Sequence, residues 1–319
     1  MDKKLKNIIK ITLPLLLGVF LVWYSLSKVS ISELLVYAKH ADYKWIVLGM
    51  FLGFLSHLSR AYRWRFQLEP MGYKVKFANS MMAVFATYLI NYTIPRAGEV
   101  ARASILTNYE DVPFEKGFGT IVAERIADML VMLGIIAITL FLQFDFIYGF
   151  LMERFNPTKI IIAIIGMGLI LFLFTRFIKK SQSKFALKLK SFINGLIEGA
   201  LSIFKMKKKW AFIFHTLFIW GMYVLMFYVT SFSINELEGI SAGAILIGFI
   251  SASFSIAATN GGIGSYPLAI YAAFSIFGIP EEPSIAFGWI MWASQTLMII
   301  IFGGLSLIYL PIYNRKKKA

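Results

Sequence analysis

The sequence predicts an all-α polytopic integral membrane protein with about six full spans and two re-entrant helical hairpins. Of its 319 residues, 58% are hydrophobic and only 15% are charged, whereas about a quarter of the residues in a soluble domain are charged. Several apolar runs reach or approach the roughly 20 residues that a helix needs to cross a bilayer. These runs are continuous and lack the alternation of a membrane β-barrel.

The apolar runs give the order of elements along the chain. They lie at approximately 8–26, 45–62, 78–95, 118–142, 160–178, 211–231, 241–258, 265–278 and 285–310. The connections 27–44 and 143–159 mix acidic and basic residues, so their charge assigns them to neither side of the membrane.

Lysine and arginine orient the spans, because cytoplasmic connections carry an excess of both residues. Basic residues concentrate at the N-terminus, in 60–76, in 179–209 and in the C-terminal tail. We therefore expect all four segments, and hence both termini, to be cytoplasmic. Loops 232–240 and 279–284 carry glutamates and no basic residue, which predicts that they face outside.

Two broken segments resolve a conflict in this topology. If 78–95 crossed completely, the lysine-rich connection 179–209 would lie outside. We therefore expect 78–106 to enter and leave from the cytoplasm, and 241–278 to enter and leave from the outside. Proline or glycine interrupts both segments, and 265–278 is too short to span. Broken segments in corresponding halves of a membrane protein are typical of a transporter binding site.

A surface helix is predicted within the long basic connection. Apolar residues recur at helical spacing over 183–204, with lysines clustered at both ends. This pattern is typical of an amphipathic helix that lies on the cytoplasmic membrane surface. A membrane anchor is the simplest interpretation of this helix.

Charge and composition exclude several classes of function. The net charge of +15 fits cytoplasmic retention and contact with anionic lipid, and no nucleic-acid-binding motif accompanies it. The chain has no cysteine, and its histidines, His40, His57 and His215, are scattered. We therefore expect no thiol chemistry, no metal site, no cofactor and no nucleic-acid partner.

The first charged motif, Arg96, Glu99 and Arg102, interrupts the first predicted hairpin. Pro95 suits the first turn of a helix, so a helix is expected to begin near residues 93–95. A helix N-terminus favours anions, and the Arg96 guanidinium can bind phosphate with two hydrogen bonds. The motif therefore predicts an anion-binding site within the membrane, with a structural ion pair at the interface as the alternative.

A second charged motif interrupts the predicted span 118–142. Glu124 and Asp128 are four residues apart and share a helix face, with Arg125 between them. Charged side chains inside a span are expected to face the protein interior. A structural charge network and a transport element are equally good interpretations.

Glycines mark the tip of the second predicted hairpin, in the stretch ATNGGIGSYPLAIYAAF. Asn260 tolerates left-handed backbone, and Ser265 is expected to cap the following helix, with Pro267 in its first turn. We expect an unwound tip that faces the first hairpin and binds substrate through Asn260, Gly261, Gly262, Gly264 and Ser265. Close helix packing through glycine is the alternative interpretation.

Three arginines, Arg60, Arg63 and Arg65, surround Trp64 near the end of the second predicted span. An interfacial anchor explains most of this pattern. Collection of anionic head groups from the inner leaflet is an additional hypothesis.

Together these motifs resemble the lysylphosphatidylglycerol synthase transmembrane-region family, also called flippase-like. The resemblance covers nearly the whole chain and rests on AYRWRFQLEPMG, NYTIPRAGEVARASIL, VAERIADML and NGGIGSYPLAIY. Known members include the membrane halves of the multiple peptide resistance factors. In those proteins a soluble domain makes lysyl-lipid, and the membrane half moves it to the outer leaflet.

The resemblance implies lipid translocation in a bacterial-type inner membrane, with both charged motifs near the lipid path. The chain stops at Ala319, which leaves no room for a soluble aminoacyltransferase domain. We therefore expect a single transmembrane domain over 1–319 that does not synthesise lysyl-phosphatidylglycerol. Tyr266 and Pro267 stand where family members often carry an acidic residue, which leaves the charge of the head group open.

Three functions remain open at this point. The first is a translocase or scramblase for an anionic or zwitterionic phospholipid or a glycolipid, with anionic membrane phospholipids as the expected partners. The second is an intramembrane transferase, although the sequence shows no catalytic triad, metal set or nucleotide-binding motif and we expect no enzyme activity. The third is a non-transporting subunit that anchors a separate lipid-modifying enzyme. Homo-oligomers are compatible with each.

Overall fold

The computed structural model describes residues 3–94, 97–154, 157–187, 189–190, 203 and 206–315. These residues form α-helices, two short 3-10 turns (Glu69–Met71 and Asn235–Leu237) and no strand, which confirms the all-α class. The α-helices are, in chain order, α1 (Lys3–Lys28), α2 (Ile31–His40), α3 (Tyr43–Leu68), α4 (Phe77–Thr93), α5 (Ala97–Glu110), α6 (Phe114–Leu142), α7 (Phe144–Arg154), α8 (Pro157–Lys180), α9 (Lys209–Ser231), α10 (Ala242–Ala258), α11 (Ser265–Ser275) and α12 (Glu281–Tyr313).

The chain divides into two compact units, and the boundary falls inside α6. Unit 1 combines residues 1–121 with residues 207–319, and unit 2 comprises residues 122–206. Both predicted hairpins therefore belong to unit 1, while Glu124 and Asp128 belong to unit 2.

Three helices among the described residues, α6, α9 and α12, are long and apolar enough to cross a membrane. The segment Leu16–Lys28 of α1 adds a fourth candidate together with α2, although the two helices are bent by 75°. The chain is thus a membrane protein with several apolar helices. The count of six spans and the cytoplasmic position of the termini stay predictions.

Two pairs of short helices stand at the positions of the predicted hairpins. Helices α4 and α5 pack together over 77–110, and helices α10 and α11 pack together over 242–275. The membrane face from which each pair enters stays a prediction. The amphipathic helix predicted over 183–204 lies mostly outside the described residues.

Two helices, α2 and α7, occupy segments that the sequence analysis treated as connections. A reciprocal capping box starts α2: the Ser30 hydroxyl accepts from the Glu33 N–H at 3.2 Å, and the Glu33 carboxylate accepts from the Ser30 N–H at 2.7 Å. Both orphan donors at the helix start are thereby satisfied. A helix this short is easily overlooked when apolar run length is the main criterion.

Small residues allow the helices of unit 1 to pack closely. Gly49 of α3 lies against Thr230 of α9, and a Cβ added at Gly49 would overlap the Thr230 hydroxyl. Gly303 of α12 lies similarly close to Leu89 of α4, where an added Cβ would come within 2.7 Å of the Leu89 Cβ. Association through small residues is typical of membrane helices, since lipid offers no hydrophobic driving force.

An asparagine pair joins the start of α4 to the end of α12. The Asn79 amide donates to the Asn314 carbonyl oxygen at 2.9 Å, and the Asn314 amide returns a bond to Asn79 at 2.8 Å. Both side chains are buried. Glu110, at the end of α5, accepts from the Lys76 N–H at 3.2 Å, so the open end of the first hairpin is also held by polar contacts.

Candidate functional site

The tips of the two hairpins meet inside unit 1. The Asn260 amide, in the tip between α10 and α11, donates to the Tyr92 carbonyl oxygen of α4 at 3.0 Å. Gly261 packs on the Tyr92 ring, and a Cβ added there would come within 2.7 Å of the ring. The last carbonyl groups of a helix lack partners within the helix, so one tip satisfies a backbone group of the other.

Helix α12 holds both tips from a third side. The Trp292 Nε1–H donates to the Gly261 carbonyl oxygen at 2.8 Å, and the Thr296 hydroxyl donates to the Tyr92 hydroxyl at 3.1 Å. The side chains of α12 thus cover the non-helical backbone of the second tip and the end of the first hairpin's α4 with protein.

Asn91 organises the first tip from within its own hairpin. Its Oδ1 accepts from the Gly98 N–H at 2.8 Å, and its amide donates to Glu99 at 3.4 Å. A Cβ at Gly98 would overlap the Thr87 carbonyl oxygen, so glycine permits the close approach of α4 and α5. Glu99 is half-buried beside this cap. Pro95 and Arg96 lie outside the described residues.

Left-handed glycines shape the second tip, where Gly261, Gly262 and Gly264 have φ values of 67°, 78° and 69°. Residues with side chains rarely adopt this conformation. A Cβ at Gly264 would also overlap the Val22 N–H of α1. The expectation that Ser265 caps α11 is wrong, because the cap position is Gly264.

The hydroxyl of Ser265 serves within the second hairpin instead. It lies 2.6 Å from the Ser255 hydroxyl and 2.9 Å from the Thr259 hydroxyl. The Thr259 hydroxyl also accepts from the Gly262 N–H at 3.2 Å. These contacts join the end of α10 to the start of α11 across the unwound tip.

A layer of buried arginines lies beyond the tips in unit 1. The Arg102 guanidinium of α5 stacks on the Trp64 ring at 3.7 Å from its centroid, and the Trp64 Nε1–H donates to Thr120 at 2.7 Å. Arg63 donates to the Thr216 hydroxyl at 2.7 Å. Since Arg60 and Arg63 are 2% and 0% exposed, they are buried inside the unit rather than exposed as an interfacial anchor would be.

Arg65 differs from its two neighbours because it lies in an ion-pair network at the end of α3. Glu69 accepts from Arg65 at 2.8 Å and from Lys208 at 2.8 Å. Hydrogen bonds from Lys208 and then from Arg65 hold the pKa of the Glu69 carboxyl below its ordinary value. This network joins the end of α3 to the residue that precedes α9.

Within unit 2, Glu124 and Asp128 are buried while Arg125 is exposed. The expectation that all three side chains face the interior is therefore wrong for Arg125. Successive helical residues point about 100° apart, so Arg125 points away from Glu124 toward the exposed side of the helix. Arg125 is three residues from Asp128, about 60° around the helix, and its guanidinium lies 3.8 Å from that carboxylate.

Several residues of the site were not singled out by sequence analysis, namely Asn91, Tyr92, Trp292 and Thr296. Each is a polar or aromatic residue in an apolar helix, and this is the feature of the sequence that could have indicated a role in the site. That signal is weak, because aromatic residues are common throughout this chain. Among the residues that the structure describes, no group of acidic and histidine side chains could hold a metal ion.

The chain is similar to three curated archaeal proteins. The UPF0104 membrane protein MJ1595 of Methanocaldococcus jannaschii is 25% identical over 88% of both chains. The UPF0104 membrane protein PH1989 of Pyrococcus horikoshii is 26% identical over 59% of this chain and 52% of the relative. The glycosyltransferase AglD of Haloferax volcanii is 27% identical over 34% of this chain, which is 18% of that protein. No solved structure matches the chain.

A family model for the lysylphosphatidylglycerol synthase TM region matches residues 11–303. The match includes both hairpins, the buried arginines and the α12 residues that hold the tips. The membrane relatives and the apolar helices agree with a multi-pass membrane protein. The chain therefore belongs to the lysylphosphatidylglycerol synthase TM region family.

Proposed function

We propose that the protein moves a phospholipid or another lipid-linked head group across the cell membrane, past the place where the two hairpin tips meet. The contact between Asn260 and the Tyr92 carbonyl is the observation that carries this proposal. It brings two helix breaks together in a membrane protein, an arrangement typical of transporter binding sites. The family name, which refers to a phospholipid synthase, agrees with a lipid substrate.

The hairpin tips offer polar groups that a head group needs when it leaves water. Helices α5 and α11 both begin at the tips, so their N-terminal N–H groups lie in this region. Such groups attract anionic oxygen atoms. The described hydrogen bond between the tips, from Asn260 to Tyr92, is worth about 1 kcal/mol, so a passing head group can replace it.

The buried arginines give the proposal a preference for phosphate. Arg102 lies on the same helix as Glu99, one turn further from the tip. A guanidinium binds phosphate oxygens with parallel hydrogen bonds, and stacking on Trp64 holds that of Arg102 in place. We therefore propose anionic phospholipids as the partners.

We also propose how transport is energised and which kind of partner takes part in it. The sequence contains no GxxxxGK[ST] motif for nucleotide binding. Transport is then downhill, coupled to an ion or driven by a partner such as a lipid-modifying enzyme. The protein itself acts as a carrier without chemical catalysis. Its archaeal relatives extend the proposed location from bacterial inner membranes to cell membranes in general.

Lipid flipping in proteoliposomes tests the proposal. Fluorescent phosphatidylglycerol is the probe, and Gly261→Val is compared with Gly72→Val. Both glycines have positive φ, but only Gly261 touches the opposite tip, since nothing lies within 4 Å of a Cβ at Gly72. We expect the wild type and Gly72→Val to flip the lipid, and folded Gly261→Val to lose most of this activity. Equal activity in both variants would contradict a role for the tips, and an inactive wild type would contradict translocation.

A further inference from the structure

A cluster of uncharged polar and aromatic side chains lies next to the hairpin tips and has no role in the function proposed above. The His57 cluster consists of His57 (α3), Tyr88 (α4), Trp220 and Tyr223 (α9), and Gln295 (α12). The His57 ring lies 4.5 Å from the Tyr88 ring and 6.2 Å from the Tyr223 ring, between centroids. The Trp220 ring also packs against the Tyr223 ring, with their centroids 6.0 Å apart.

The cluster is continuous with the tips along two helices. On α4, Tyr88 precedes Tyr92 by four residues, which is about one helical turn. On α12, Gln295 adjoins Thr296, which donates to the Tyr92 hydroxyl. The Gln295 side chain reaches α3, where a Cβ on Gly53 would lie 2.5 Å from its Oε1. Gly53 and His57 are also one turn apart.

Three buried atoms of the cluster have unused hydrogen-bonding capacity. Within the part of the chain that the structure describes, His57 Nδ1, Trp220 Nε1 and Gln295 Nε2 have no hydrogen-bond partner. His57 itself is only 6% exposed. A buried polar atom without a partner is costly, and native proteins rarely leave one unless the site has another occupant.

The chemistry of these atoms selects the occupant. The Trp220 indole N–H and the Gln295 amide N–H are donors only, and neutral His57 offers a donor or an acceptor according to its tautomer. These N–H donors need acceptors, which a ligand supplies as oxygen atoms. An ammonium group brings only donors of its own and finds no carboxylate among these five side chains. The His57 and Tyr223 rings pack edge to face at 66°, and the Trp220 and Tyr223 rings do so at 86°.

Access to the cluster is also consistent with a ligand. His57 forms a buried floor, whereas Tyr88, Tyr223, Trp220 and Gln295 are half-buried around it. We infer that the His57 cluster recognises the hydroxyl groups of the transported head group, which is a sugar or another polyol without an ammonium group. This inference rests on the proposed function and names the substrate class for the same site.

The test is a competition among lipids that is independent of transport. The purified protein is equilibrated with equal amounts of phosphatidylglycerol, phosphatidylinositol, phosphatidylethanolamine and phosphatidic acid with matched acyl chains. Retained lipid is then measured by native mass spectrometry. We expect the two hydroxyl-bearing lipids to be retained at least about tenfold over the ammonium lipid, as two or more hydrogen bonds would give. Phosphatidic acid shows whether phosphate alone is sufficient.

Variants connect that preference to the cluster. Gln295→Leu and Trp220→Phe each remove donors and are expected to reduce the preference about five- to tenfold. Gln67→Leu is the matched control, because Gln67 is a buried glutamine of α3 with an unpartnered Oε1 that lies outside the cluster. Trp220→Phe removes little volume, which keeps the test usable if Gln295→Leu fails to fold.

Two outcomes would overturn the inference. One is retention of phosphatidylethanolamine or phosphatidic acid as strong as that of phosphatidylglycerol, and the other is an unchanged preference in both folded cluster variants. Flipping of all four lipids at equal rates, with equal retention, would reject the inference and leave translocation intact. Selective retention without any flipping would reject translocation and support the recognition site.

Discussion

The tip between α4 and α5 differs from the tip between α10 and α11 in what holds its backbone. In the first tip, Asn91 caps the next helix from within the same hairpin. The second tip is built on left-handed glycines, and Trp292 and α1 contact it from outside. The first tip thus depends on a side-chain cap, whereas the second depends on positive φ angles that only glycine adopts readily, and both tips also contact α12. A side chain added at a glycine of the second tip is therefore expected to cost more than one added at the first.

Substitution of the second tip's tightest glycine is expected to have the largest effect. Gly264→Val combines a left-handed backbone, which costs about 1–2 kcal/mol, with overlap against the α1 backbone, which costs about 1–3 kcal/mol. We expect the stability in detergent to fall by about 2–5 kcal/mol, measured by thermal unfolding.

The first tip supplies the contrast for that experiment. Gly98→Ala also creates an overlap, with the Thr87 carbonyl, but Gly98 is helical and bears no left-handed backbone cost. We expect a smaller loss of about 1–3 kcal/mol. A loss for Gly98→Ala that exceeded the loss for Gly264→Val would reverse the comparison.

Removal of the α12 contact to the second tip is expected to have an intermediate effect. Trp292→Phe leaves the Gly261 carbonyl without its donor, which costs about 1–3 kcal/mol when the group is buried. Trp289→Phe is the matched control on the same helix, because its indole N–H donates to the Ser25 hydroxyl at 3.1 Å, away from the tip. Thermal unfolding should show the larger loss for Trp292→Phe. Equal losses would mean that α12 does not hold the tip.

Loss of the cap at the first tip should cost about 1 kcal/mol. Asn91→Ala removes the acceptor for the Gly98 N–H, and caps of this kind contribute about 0.5–2 kcal/mol. Asn91→Asp retains the acceptor but places a second carboxylate beside Glu99, so the comparison is made in a Glu99→Gln background, where Asn91→Asp should recover most of the stability. If Asn91→Ala and Asn91→Asp unfolded at the same temperature in that background, capping would not be the role of Asn91.

The smallest effect is expected outside both tips, at Glu69. Because hydrogen bonds lower its pKa below the ordinary value of 4.5, its stabilising contribution is complete above that pH and is lost as the pH falls through the lowered pKa. The carboxylate is partly exposed, so the loss should stay below about 1 kcal/mol. Thermal unfolding between pH 6 and pH 3, compared with Glu69→Gln, measures it. Glu69→Gln should lack this part of the pH dependence. If the variant and the wild type gave identical pH profiles of thermal unfolding, Glu69 would not be the source of the loss.

Glycine and proline made the second tip predictable from sequence, because positive φ is nearly exclusive to glycine. The Tyr92, Trp292 and Thr296 contacts were not predictable in the same way. They join residues 31 to 204 positions apart, and apolar helices carry no signal for which aromatic side chain faces inward. The burial of Arg60 and Arg63 could not be predicted from the sequence for a related reason. An arginine near the end of a span has the same sequence pattern whether it reaches the interface or stacks inside the bundle.

The reciprocal bonds between Asn79 and Asn314 have a consequence for biosynthesis. Their partners are separated by 235 residues, so the first hairpin is synthesised long before residue 314 leaves the ribosome. Throughout that interval the Asn79 amide lacks this partner, and Glu110 of the same hairpin is the acceptor already available to it. The Asn79–Asn314 pair of unit 1 therefore forms only after α12 has been synthesised.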